Sequence, residues 1–136
     1  MVVDSNILVY AICIDSPKNK KAQEFINKEK SNLQVAHQNI FETLRVLTHP
    51  KFKYPMGLEK AIVAIEKIAM PMEILTPKLE TYFVALDLIG KHKLKGNKIF
   101  DAYLVATALT NGVNQIATDN EKDLKKYKGL ITFNPF

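Results

Sequence analysis

Apolar and polar positions along this chain switch repeatedly between short runs that suit strands and stripes that repeat at helical spacing. Met1-Val2-Val3 reads as a short strand buried in the middle of a sheet and ending on Asp4-Ser5-Asn6. The apolar run from Ile7 to Ile12 then turns straight over into a packed helix. Asp15-Ser16-Pro17-Lys18 predicts a helix start, with Ser16 as cap and Pro17 in the first helical position. That helix runs to about Lys30 with Ala22, Phe25 and Ile26 inward. Leu33 to Ala36 predicts a second strand. Asn39 to Thr48 carries Ile40, Phe41, Leu44 and Leu47 at helical spacing and stops at His49-Pro50. A loop over residues 51–56 leads to a helix from Leu58 to about Met70, with Ile62, Ile65 and Ala69 on one face. Glu73-Ile74-Leu75 predicts a third strand, Pro77 opens a helix to about Lys91, and a lysine-rich loop follows. Gly96-Asn97 begins the next helix, which closes near Asn111-Gly112 with glycine in its usual C-terminal position. Gln115 to Thr118 reads as a fourth strand, Asn120 to Tyr127 as a short helix and Leu130 to Phe133 as the last strand.

Strands alternate with helices throughout, and no Asn-Gly hairpin joins two strands. The pattern predicts one α/β domain over residues 1–136, with a parallel sheet and helices on both faces. Such a sheet delivers the carboxyl end of every strand to one edge, where open α/β sheets place their ligands. Asp4, the loop after Ala36 and the loop after Thr118 therefore share a side of the molecule. Taken alone, Asp4 leaves two readings level: the N-cap of the helix that follows, or the first member of a site.

The other acids weigh on that choice. From Ile99 to Thr118 the only charged residue is Asp101, in a helix apolar on almost every side and so expected to be covered by protein all round. A carboxylate there needs a partner or a metal, although a helix-start aspartate stabilised by the dipole is the plainer alternative. Glu42 follows Asn39 by three positions and has Arg45 one turn on, so a capping arrangement and an ion pair account for it as well as function does. Its place after the second strand puts it on the edge of Asp4. The segment Thr118-Asp119-Asn120-Glu121-Lys122-Asp123 brings further acids to that edge, again with a capping alternative through Asn120. Like charges gathered from four segments call for a cation, and oxygen ligands without a Cys or His set suit Mg²⁺ or Mn²⁺.

Charge and composition narrow the chemistry. Lys and Arg number 19 against 14 acids, a net charge of +5 that is compatible with a polyanionic partner, and Arg45 is the only arginine. Lysines cluster at 18–21, 91–98 and 122–128, where solvated helix faces are the plain explanation. A magnesium site on a basic protein points to phosphoryl chemistry on a polyanion. There is no Gly-rich phosphate loop, nucleophile elbow or metal-type His pair. Tyr10, Phe41, Phe100 and Tyr103 fall at core spacing and so suggest packing rather than base stacking. The single cysteine, Cys13, suits a reducing compartment. With no apolar run long enough for a membrane span and no leader pattern, the expected location is cytoplasmic.

The opening Val-Val-Asp4-Ser5-Asn6, Glu42 within Asn39 to Val46, Asp101 within Ile99 to Ala106, and Thr118 to Leu124 together resemble the PIN-domain family, most of all the VapC-type ribonuclease toxins. The resemblance spans essentially the whole chain. It implies a three-layer α/β/α sandwich with a parallel sheet of about five strands, and a Mg²⁺- or Mn²⁺-dependent endoribonuclease that cleaves RNA with a metal-activated water. It also implies an antitoxin partner and a homodimer. Carried over, Asp4, Glu42 and Asp101 would be metal ligands, with Asp4 and Asp101 the principal pair. Ser5 stands where threonine is usual, and Asn6 would hold the acidic loop in shape. The fourth acid departs from the pattern: Asn120 takes its place, leaving Asp119 or Asp123 to supply the carboxylate through a water, with Thr118 and Asn120 in support. Two competing readings keep part of this picture: a catalytically inactive RNA-binding or assembly module of the same fold, and a phosphatase with an aspartate nucleophile. The phosphatase wants an acid at Asn6 and ranks last.

Overall fold

The computed structural model describes residues 1–136. Its sheet has five strands, all parallel, in the order β3-β2-β1-β4-β5: β1 (Val2–Val3), β2 (Gln34–Ala36), β3 (Glu73–Leu75), β4 (Gln115–Ala117) and β5 (Ile131–Phe133). The helices are α1 (Ser5–Ile12), α2 (Asn19–Glu29), α3 (His37–Thr48), α4 (Leu58–Ala69), α5 (Leu79–His92), α6 (Lys98–Thr110) and α7 (Glu121–Leu124). Successive connections carry the chain from β1 out to β3 on one side and then across to β4 on the other. The strand order therefore reverses between β1 and β4, and the crevice at their carboxyl ends is a topological switch point.

Two-residue β1 holds the centre because both its faces are covered. Val3, Val35 and Ala117 turn to α1 and α2, where Ile7, Leu8, Ala22 and Phe25 complete one core. Val2, Ala36, Leu75 and Ile116 turn the other way onto α6, with Leu124 and Tyr127 closing a second. This alternation makes the three-layer α/β/α arrangement, and each fully buried valine contributes roughly 1.5–3 kcal/mol. A third cluster of Val9, Cys13, Leu47, Ala61 and Ile65 seats α3 and α4 against α1.

Several helix starts differ from the sequence reading. Helix α1 begins at Ser5, with Asp4 as its N-cap. Helix α2 begins at Asn19 rather than Pro17, and Ser16 instead closes a turn by accepting from the Lys18 amide at 3.3 Å. Helix α3 follows β2 with no loop and starts at His37, so Asn39 lies inside the helix instead of capping it. Helix α5 begins at Leu79 after Pro77, and α7 stops at Leu124. The first turn of α6 is not covered: Ile99 is 37% and Phe100 55% exposed, and Phe41 on α3 is 57% exposed. Ile62 also faces partly outward, its place on the inner face of α4 taken by Ala61.

Gly112 ends α6 with φ of 76°, and no heavy atom lies within reach of an added Cβ, so only its backbone conformation demands glycine. Gly90, inside α5, has neither constraint. Gly112→Ala is expected to lower unfolding free energy by about 1 kcal/mol. Gly90→Ala is expected to raise it by roughly 0.5–1 kcal/mol. Urea unfolding of the two variants gives the paired comparison.

Candidate active site

The first acid of the site is both a cap and more than a cap. Asp4 Oδ1 accepts from the Ser5 amide at 2.7 Å, which is the capping bond, and from Asn39 Nδ2 at 3.4 Å. Its Oδ2 accepts from Thr118 Oγ1 at 2.7 Å and from Asn6 Nδ2 at 2.8 Å. Donors from α1, α3 and the end of β4 thus converge on one carboxylate, while the Asp4 amide donates to Ala117 O at 2.9 Å. Burial raises the Asp4 carboxyl above its ordinary range, and the Thr118 and Ser5 hydrogen bonds work against that rise.

Glu42 lies one turn along α3 from Gln38, whose Nε2 donates to Glu42 Oε1 at 2.7 Å and to Phe100 O of α6 at 3.0 Å. Ser5 Oγ sits 3.3 Å from both Asp4 Oδ1 and Glu42 Oε2, so a single hydroxyl proton is shared between two acids. The ion pair with Arg45 that the sequence left open as the plain alternative for Glu42 does not form: the ion pairs are Lys18–Asp119, Lys98–Asp123 and Lys125–Glu121.

Asp101 is the contrasting case. It occupies the first turn of α6, half-buried, and none of its oxygens accepts a hydrogen bond from any protein donor. Burial pushes its pKa up to about 6, aided by the negative charges of Asp4, Asp123 and Glu42 and opposed by Lys126. The buried Tyr127 hydroxyl, also without a hydrogen-bond partner, is pushed up to about 12 by burial and by the charges of Asp101 and Asp123.

The segment after β4 divides its acids. For Asp119 burial alone would raise the carboxyl, but hydrogen bonds from Lys18 and Tyr10 outweigh it and hold it below the ordinary range. Its amide donates to Asn6 Oδ1 at 3.2 Å. Asp123 accepts from Asn120 Nδ2 at 2.9 Å, which lowers its pKa, and it is the member of this segment whose charge acts on Asp101. Asn120 makes no side-chain cap to α7. Thr118, fully buried, also accepts from the Asn120 amide and from Asn6 Nδ2.

Sequence reasoning missed Gln38 and missed Asn39 as a buried donor. Asn39 and Thr43 are polar yet fully buried at the spacing of Leu47, so polar residues on an apolar stripe were the available signal. Lys18 and Tyr10, which hold Asp119, had no signal in their own segments. In this side-chain arrangement no three Asp, Glu, His or Cys residues form a ready-made metal cage. The donor set nevertheless fits a hard, partly hydrated divalent cation. It is all oxygen, Asp101 has its full accepting capacity free, and Gln38 Oε1 and Asn39 Oδ1 are buried acceptors with no donor.

With its pKa near 6 against an ordinary 3.8, Asp101 binds a proton more tightly folded than unfolded. Its contribution is therefore favourable at low pH and is lost as pH rises through about 6. Asp101→Asn is expected to unfold at higher urea than wild type at neutral pH in EDTA, by roughly 1 kcal/mol after allowing for solvent screening. The difference should close by about pH 4. Thr118→Val, which strips a donor from the buried Asp4 carboxylate, is expected to lose about 2 kcal/mol in the same assay.

The PIN-domain family model matches residues 1–130 of the chain. Among solved structures, the chain is similar to a toxin–antitoxin complex from Klebsiella pneumoniae, with TM-score 0.72 and 16% identity over 99% of this chain and 97% of that one. It is similar to DNA-bound VapBC from Salmonella typhimurium, with TM-score 0.75 and 15% identity over 99% and 97%. It is also similar to a sarcin–ricin loop cleaving VapC toxin from Mycobacterium tuberculosis, with TM-score 0.72 and 12% identity over 95% and 97%. At such identities the likeness concerns the fold. No curated protein sequence matches the chain. The family model takes in β1 through α7 with every acid of the sheet edge, and the five-stranded parallel sandwich agrees with it: the chain belongs to the PIN-domain family.

Proposed function

We propose that this chain is a divalent-metal-dependent endoribonuclease acting as the toxin of a toxin–antitoxin pair. The observation that carries the reading is Asp101: a half-buried carboxylate without a donor, raised to about 6, in the field of Asp4 and Glu42 on a chain of net charge +5. Mg²⁺ or Mn²⁺ held by Asp4, Asp101 and Glu42 would neutralise their charge and supply a water activated for attack on the scissile phosphate. The protein's own part is positioning. Ser5, Asn6, Asn39 and Thr118 fix Asp4, and Gln38 fixes Glu42. Asp101, free of donors, can turn toward a cation, and Asp123, whose charge acts on Asp101, would help through a water in place of Asp119, which Lys18 and Tyr10 hold. Lys98, Lys122 and Lys126 lie near Asp123, and Lys126 near Asp101, where they would draw in the RNA backbone.

Support for the toxin role comes from the neighbouring folds, several of which are toxin–antitoxin complexes. It comes also from surface left uncovered. Leu58 and Val63 on α4, Met70 at its C-terminal cap, and Leu79, Tyr82 and Phe83 on α5 are exposed. Faces of this kind suit an antitoxin and a second copy of the chain. No helix is long and apolar enough to cross a membrane.

Incubation of the purified chain with end-labelled RNA and Mg²⁺ is expected to yield 5′-phosphate and 3′-hydroxyl ends. Asp4→Asn and Asp101→Asn should each slow cleavage by about a hundredfold or more. Unchanged rates in both variants would sink the reading. At subsaturating metal, the rate should fall as pH drops through about 6, because the proton on Asp101 competes with the cation.

A further inference from the structure

Beside Glu42, α3 and α6 enclose a pocket of about 550 Å³ whose walls include Phe41, Phe100, Gln38 and Arg45. We propose that this pocket is a nucleobase subsite, in which Phe41 and Phe100 stack on an unpaired base of the RNA next to the cleaved phosphate. The assignment deepens the ribonuclease reading and rests on it.

Several independent features select a base. Phe41 and Phe100 are more than half exposed in regular helices, and each immediately precedes a candidate ligand, Glu42 or Asp101. Glu42 lines the same pocket, so a base stacked there lies beside one of the acids. Gln38 ties the two walls together by donating to Glu42 and to the Phe100 carbonyl, so the aromatic residues are carried on a fixed frame. Arg45, the only arginine, lines the pocket without an ion pair and supplies positive charge for the adjoining phosphate. Exposed aromatics beside a free cation are how single-stranded RNA is held without sequence-specific contacts.

The test uses the full chain carrying Asp101→Asn to silence cleavage, Mg²⁺, and single-stranded RNA hexamers with one 2-aminopurine moved along the sequence. One register is expected to show strong fluorescence quenching on binding. Phe41→Ala and Phe100→Ala should each remove that quenching and weaken binding about tenfold, and Phe41→Tyr and Phe100→Tyr should restore both. An abasic site at the same register should weaken the parent equally and the alanine variants no further. Quenching and affinity untouched by both alanine changes would overturn the subsite. So would an unchanged abasic penalty in alanine variants that sediment as smaller species, which would make the face a contact between copies. Absence of any RNA binding by the parent would instead remove the ribonuclease reading itself, and the subsite with it.

Discussion

The desolvated carboxylate of Asp4 is the constraint around which the sheet edge is built. A charge drawn into the crevice between β1 and β4 must be met by donors, and here they come from Ser5, Asn6, Asn39 and Thr118. Those residues belong to α1, α3 and the end of β4, so satisfying one acid fixes three segments relative to one another. Parallel topology brings these segments to a common edge, and the hydrogen bonds around Asp4 hold them in register.

Around this fixed acid the others are treated unequally. Glu42 is restrained by Gln38 and Ser5, and Asp119 is drawn to Lys18 and Tyr10. Asp101 is left without donors, its pKa lifted to about 6. A rigid pair of acids next to one unsatisfied acid is the arrangement on which the proposed divalent-cation site rests. The same helices that deliver Glu42 and Asp101 also expose Phe41 and Phe100, so the acid site and the aromatic pocket are two sides of one frame closed by Gln38.

Much of the fold was legible in the sequence, because strand and helix periods alternate cleanly and the one apolar α/β arrangement they allow is a parallel sandwich. Helix starts were less legible. Ser16-Pro17 and Asn39 carry capping chemistry that the chain uses otherwise, in a turn and as a buried donor to Asp4. The acids themselves were visible, Asp101 most of all for its isolation in an apolar stretch. Their partners were less so: Lys18 and Tyr10 reach Asp119 across distances in sequence that no local pattern records, and Gln38, one turn from Glu42, also reaches over to Phe100 on α6. Phe41 and Phe100 were read as core from their spacing alone. A helical stripe gives the direction of a side chain, and whether another element covers it depends on tertiary packing, which here leaves the first turn of α6 open.

The most direct measurement is isothermal titration of Mn²⁺ into the full chain and its Asp101→Asn variant near pH 6, in two buffers of different ionisation enthalpy. The account predicts saturable binding to the wild-type chain with release of a fraction of a proton per ion, and binding weakened at least about tenfold, without that proton, in the variant. Equal affinity in the two proteins, or no proton release from the wild type, would contradict it.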